Sequence, residues 1–134
     1  MMLMDAYQRR ARKTVVYPRE QKIIYPALGL AGETGEVCEK IKKYLRGDYT
    51  LSNEEKIDEL EMEIGDVLWY LANLASDLHL SLDIIAAKNI NKVRDRLERD
   101  VLQGDGDDRW VYNVKNVDMN QFICLVLGHV LIVG

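Results

Sequence analysis

Four carboxylates carry the chemistry open to this sequence. Glu33 and Glu36 lie three residues apart, and so do Glu63 and Asp66. On a helix that spacing puts both acids of a pair on one face. Two helices packed antiparallel can then bring the pairs together. No His or Cys stands among them, so the donor set is hard oxygen. Such a set suits Mg²⁺ or Mn²⁺ and fits zinc poorly. Mg²⁺ keeps some of its waters and takes substrate phosphates as further ligands. The flanks of Glu63 and Asp66 are Met62, Val67, Trp69 and Leu74. Carboxylates among such side chains are costly to bury without a counter-charge, and a metal ion supplies one. The bland alternative is a solvated face of an amphipathic helix. It is the preferred reading for Glu59, Glu61 and Asp77.

The second pair sits on the stretch around which the chain is organised, Glu59 to Asp77. Ile57, Leu60, Ile64, Val67, Leu71, Leu74 and Leu78 recur at spacings of three and four, the period of a helix face. Glu59, Glu63, Asp66, Tyr70, Asn73 and Asp77 form a polar stripe of the same period beside them. Ser52-Asn53-Glu54-Glu55 reads as a capping box that starts this helix, with Ser52 as the cap. The helix is predicted to end near Leu78. It is apolar almost all round, since Leu68, Ala72 and Ala75 cover its far side, and such a helix wants burial on several faces.

The remaining elements follow in chain order. Residues 3–14 read as a short helix. The Tyr17-Pro18 and Tyr25-Pro26 steps predict a bend and then a helix start close to Pro26. That helix runs to about Arg46, where Gly47-Asp48 stops it. It contains Gly29-Leu30-Ala31-Gly32-Glu33-Thr34-Gly35-Glu36-Val37. Each glycine costs a helix roughly 1 kcal/mol against Ala, which implies close approach of another helix or a ligand. Lys40 and Lys43 extend the face of Glu33 and Glu36. A further helix is predicted from about Ser81 to Val101, with Leu82, Ile85, Ala86, Ile90, Val93 and Leu97 inward. Asn89, Lys92 and Arg96 lie on its neighbouring stripe. Residues 103–109 read as a loop, and residues 110–134 as a strongly apolar extension. His79 and His129 read as packed residues rather than ligands.

The 134 residues suffice for one domain with a core and are too few for two. The net charge of −4 argues against a nucleic acid duplex as partner. Cys38 and Cys124 have neither metal spacing nor a disulfide framework, which suggests a reducing cytoplasm. The N-terminus has no apolar core of secretory type, and no run of apolar residues reaches membrane-spanning length.

The order and wording of these segments resemble the MazG family of all-α nucleoside triphosphate pyrophosphohydrolases. The resemblance rests on Gly29 to Val37, Lys40-Ile41-Lys42-Lys43, Glu63-Ile64-Gly65-Asp66-Val67-Leu68-Trp69-Tyr70-Leu71, Asn89 to Val93, and Gly104 to Arg109. It covers most of residues 5–109, so residues 1–109 are expected to form the domain and 110–134 an extension of unknown role. The family signature is E-x-x-E followed at a distance by E-x-x-D. Many members carry a double Glu at the start of each half, and Gly32 and Met62 take those places here.

The resemblance implies an all-α bundle completed by oligomerisation, as a homodimer or homotetramer. It implies hydrolysis of a nucleoside triphosphate between the α and β phosphates, with Glu33, Glu36, Glu63 and Asp66 holding Mg²⁺. Glu33 and Glu36 are alternative candidates for the catalytic base. Lys40, Lys43, Lys92 and Arg96 are candidates for phosphate contacts, Asn89 for phosphate, sugar or metal-bound water, and Tyr70 for sugar or base. The family builds its base pocket partly from N-terminal residues, which makes Gln8, Tyr17 and Tyr25 candidates. Two other readings share the pattern. One is a phosphoribosyl-ATP pyrophosphohydrolase, against which the Gly-Leu-Ala-Gly-Glu wording argues. The other is a non-catalytic helical oligomerisation or metal-binding module.

Overall fold

Proline, glycine, side-chain caps and three left-handed residues (Ile23, His79 and Asp100) mark where the helices begin and end. A computed structural model describes residues 3–100. Among them lie α1 (Met4–Arg12), a 3-10 turn (Arg19–Gln21), α2 (Ile24–Leu45), α3 (Glu54–Asp77) and α4 (Leu82–Glu98), and no strand. The chain divides into two compact units, residues 1–92 and 93–134. The expected loop at 103–109, the boundary at 109 and the apolar extension lie outside the described residues.

Pro18 caps the 3-10 turn with extended backbone. Pro26 falls in the first turn of α2 and is buried there, where its missing N–H costs no helical bond. Ile23, just before α2, has φ 68°, a left-handed conformation that a β-branched residue adopts only under outside constraint. At the other end of α2, Gly47 (φ 88°) takes the left-handed position for which glycine is suited. Asp48 N–H then reaches back to the Lys43 carbonyl at 3.1 Å.

Asn53, rather than Ser52, caps α3: its side chain accepts from Lys56 N–H at 3.2 Å. The Ser52 hydroxyl is instead bonded to Thr50 at 2.7 Å. The two residues are equally good caps by type, and their register in the turn decides. His79 (φ 57°) closes α3 in the left-handed region, and Leu80 N–H bonds to the Ala75 carbonyl at 2.8 Å.

Alpha-helix α4 starts on side chains from far upstream. Leu82 N–H bonds to Gln8 Oε1 (2.9 Å), and Asp83 N–H bonds to Asp5 Oδ1 (3.0 Å). The Ser81 hydroxyl donates to the Asp5 carboxylate and accepts from Ile84 N–H. These groups satisfy amides that no helical bond can reach, and the Asp5 charge suits the positive helix end.

The α2–α3 pairing is antiparallel. Tyr25 meets Tyr70, Glu36 meets Glu63 and Lys40 meets Glu59, in opposite order along the two helices. Along α1 the order against α3 is likewise reversed, with Thr14 on Trp69 and Gln8 on Ser76. Between α1 and α3 lies the core, made of Ala11, Ala72, Ala75 and Leu82 with Tyr7, Trp69 and Leu71 around it.

This packing departs from the expected one. The polar stripe of α3 turns toward α2, and the Ala72 side turns toward α1. The apolar stripe is left half-buried or open, with Ile64 53% exposed and Leu78 43% exposed. On α4, Leu82 is buried while Ile85 and Ile90 are exposed. No helix among the described residues is long and apolar enough to cross a membrane.

Candidate metal centre

Glu33, Glu36 and Glu63 each present a carboxylate oxygen within 4.8 Å of the others. The first two come from one face of α2, and the third comes from the stripe of α3 that turns toward it. Asp66, one turn further along α3, is exposed, and its charge reaches Glu33. Glu33 is half-buried. Loss of solvent pushes its carboxyl above the ordinary value, and the charges of Glu36, Asp66 and Glu63 push it further the same way. The donor set is therefore all oxygen and self-repelling, which fits a hard divalent cation.

Two further layers surround the acids. Lys40 Nζ lies 3.3 Å from Glu63 Oε1 and 3.0 Å from Glu59 Oε2. Lys56 holds the other Glu59 oxygen at 2.5 Å. Glu59 is thus paired rather than simply solvated. On the opposite side the Tyr70 ring lies flat over Gly29. A Cβ on Gly29 would sit 2.1 Å from Tyr70 Cε1, so this glycine is what admits the ring. Gly32 and Gly35 have open space where a Cβ would point. Tyr25 lies 6.5 Å from Tyr70 and stacks on Tyr17 at 5.0 Å, centroid to centroid. Trp69 meets Tyr70 edge-on at 4.9 Å and donates its indole N–H to Thr14 at 2.8 Å.

The aromatic row ends on Asp77, whose carboxylate is fully buried. It accepts from Tyr17 Oη (2.8 Å) and Ile23 N–H (3.1 Å) and pairs with Arg12 (2.8 Å). Burial alone would raise this carboxyl. The bonds from Ile23, Tyr17 and Arg12 outweigh that and hold it below its ordinary value. The expectation that Asp77 is solvated is therefore corrected: it fixes the left-handed Ile23 and with it the entry to α2.

The remaining site candidates distribute as follows. Gln8 is buried and committed to Ser76 Oγ, the Leu80 carbonyl and Leu82 N–H. Ser76 is thirteen residues along α3 from Glu63, about 20 Å at the helical rise. Tyr17 is likewise tied to Asp77, away from the acids. Lys43 is exposed and lies 3.8 Å from Glu39. On α4, Asn89 is exposed and Lys92 half-buried. Arg96 belongs to the second unit. Tyr7 was not singled out by sequence, yet its phenol is raised by burial and then by the charge of Asp66. Its only sequence signal is an apolar position on α1.

The described residues are thus all-helical and present E-x-x-E and E-x-x-D from an antiparallel helix pair. Residues 23–99 match the MazG nucleotide pyrophosphohydrolase domain, and the chain belongs to that family. It is also similar to the Gene 37 protein of Mycobacterium phage L5, with 40% identity over 114 residues, covering 81% of this chain and 100% of that one. No solved structure matches.

Proposed function

We propose that this protein is a Mg²⁺-dependent pyrophosphohydrolase that converts (deoxy)nucleoside triphosphates to the monophosphate and pyrophosphate, and so clears nucleotide pools. The observation that carries the reading is the convergence of Glu33, Glu36 and Glu63 within 4.8 Å, on helices inside the family-matched segment. Glu33, Glu36, Glu63 and Asp66 would hold Mg²⁺, or Mn²⁺ in its place. When bound there, the cation would supply charge neutralisation for the triphosphate and a lowered pKa for a bound water. Glu33 or Glu36 takes the proton of the attacking water. Lys43, Lys92 and Asn89 bind phosphate oxygens, and Tyr70 packs on sugar or base.

The open apolar stripe of α3 supports assembly as a homodimer or homotetramer. Ile64 on that stripe is 53% exposed and Met62, on the other flank of Glu63, is 63% exposed, both beside the acids that would hold the metal. Side chains of that size next to a site are more economically covered by a second copy than by water. The test of the reaction class is the product spectrum. Phosphorus NMR of a Mg²⁺ reaction with a nucleoside triphosphate should show monophosphate and pyrophosphate. Diphosphate and orthophosphate instead would place cleavage at the outer bond and overturn the proposal.

A further inference from the structure

The carboxylate of Glu63 is claimed twice. One of its oxygens belongs to the acid trio, and Oε1 forms an ion pair with Lys40 Nζ at 3.3 Å. Lys40 Nζ at the same time donates to Glu59 Oε2 at 3.0 Å. The Lys40, Glu63 and Glu59 side chains are 21%, 18% and 31% exposed, so water screens these contacts only in part. The turn of α2 that carries Lys40 is itself held, because Tyr49 Oη donates to the Lys40 carbonyl at 2.7 Å. Lys56 occupies the far oxygen of Glu59 and leaves the near one to Lys40.

We infer that Lys40 is a built-in competitor for the metal centre, a latch that bridges Glu63 and Glu59 when no cation is bound and keeps only Glu59 when one is. The inference rests on the reading of Glu63 as a metal ligand. It assigns Lys40 a positioning role in place of the phosphate contact expected from sequence. A lysine in that place keeps Glu63 aimed at Glu33 and Glu36 against their mutual repulsion. It also sets an affinity threshold, since a cation must displace an ammonium to gain the carboxylate. Glu59 lowers the threshold by retaining the ammonium that leaves Glu63. Removing either partner of the Lys40–Glu59 pair should therefore move metal affinity in opposite directions.

The test is Mn²⁺ binding, followed by the EPR signal of the free ion near neutral pH. Wild type is compared with K40Q, K40R, K56Q and E59Q, each checked for helical circular dichroism. The pair lies close to solvent, so the expected changes in affinity are only a few-fold. Lys40→Gln should tighten Mn²⁺ binding about fivefold, and Glu59→Gln should weaken it about threefold. Lys40→Arg keeps the charge and should stay within about twofold of wild type. Lys56→Gln removes a nearby charge that does not touch Glu63 and should also stay within about twofold. In a Glu63→Gln background, the Lys40→Gln gain should disappear. The latch is overturned if K40Q gains no more than K56Q, or gains equally with and without Glu63. Where E63Q binds too weakly to titrate, the comparison of K40Q with K56Q decides. A folded wild type that binds no Mn²⁺ overturns the metal-site reading itself, and the latch with it.

Discussion

Asp77→Asn should unfold this protein far more readily than any change at the acidic cluster. The Asp77 side chain is fully buried, and three donors converge on it: Arg12 at 2.8 Å, Tyr17 at 2.8 Å and Ile23 N–H at 3.1 Å. The amide nitrogen of Asn must face at least one of those donors, and the Arg12 charge loses its partner. Arg12 is one-third exposed and can be solvated once alone, so the cost is about 2–3 kcal/mol, that of lost hydrogen bonds to a buried carboxylate. That is a large share of a typical stability of about 5–15 kcal/mol. In urea, at fixed protein concentration, the midpoint should fall by about 1–1.5 M for a slope near 2 kcal/mol per M. The sign of the pH dependence follows from the folded state. The Asp77 carboxyl is held below its ordinary value, so its contribution is full above the unfolded value. It is lost as pH falls through the folded value. Wild type should therefore lose stability in that acid window, and Asp77→Asn should lose that part of the slope. Arg12→Met should couple to Asp77→Asn in a double-mutant cycle. A loss below about 1 kcal/mol for Asp77→Asn, with the acid slope intact, would refute the reasoning, because the carboxylate would then not be the anchor of Tyr17 and Ile23.

Other substitutions separate packing from chemistry. Gly29→Ala should cost about 1–3 kcal/mol, since Tyr70 must leave its place and cannot do so without losing Tyr25; thermal unfolding reads this directly. Gly35→Ala meets nothing within 4 Å and should gain up to about 1 kcal/mol from helix propensity in the same scan. Asn53→Ala should cost about 1 kcal/mol in urea unfolding, and Ser52→Ala much less, because only Asn53 bonds to a free helical N–H. Glu33→Gln should raise the stability of the metal-free protein by about 0.5 kcal/mol while weakening Mn²⁺ binding, because it removes one charge from a repelling set. The raised Glu33 carboxyl means that this relief is present near neutral pH and fades as pH falls through its folded value.

Much of the architecture was legible because it is local. The acid pairs, the Tyr-Pro steps and Gly47 act within a turn or two of themselves, so Glu33 with Glu36 and Glu63 with Asp66 could be placed on helix faces before any packing was known. What stayed hidden depends on partners far along the chain. Asp77 and Glu59 share one polar stripe, and periodicity treats them alike. One is buried by Arg12 and Tyr17 of the N-terminal segment, and the other is met by Lys40 and Lys56. Gln8 read as a base-pocket candidate because it is polar near the N-terminus, yet its amide serves the start of α4 some seventy residues on. The apolar stripe from Ile57 to Leu78 was correctly periodic, but periodicity does not say which neighbour covers a face. Among the described residues α1 and α2 cover the other two sides of α3.

The central claim is that these four acids hydrolyse a nucleoside triphosphate with a divalent metal. Its most direct test is pyrophosphate release from a panel of ribo- and deoxyribonucleoside triphosphates, with Mg²⁺ and with EDTA, for wild type and Glu36→Gln. Release that needs the metal and drops at least about a hundredfold in Glu36→Gln is the predicted result, a loss of the size expected for a base or metal ligand. No release from any nucleotide by the folded wild type, or equal release by Glu36→Gln, would contradict it.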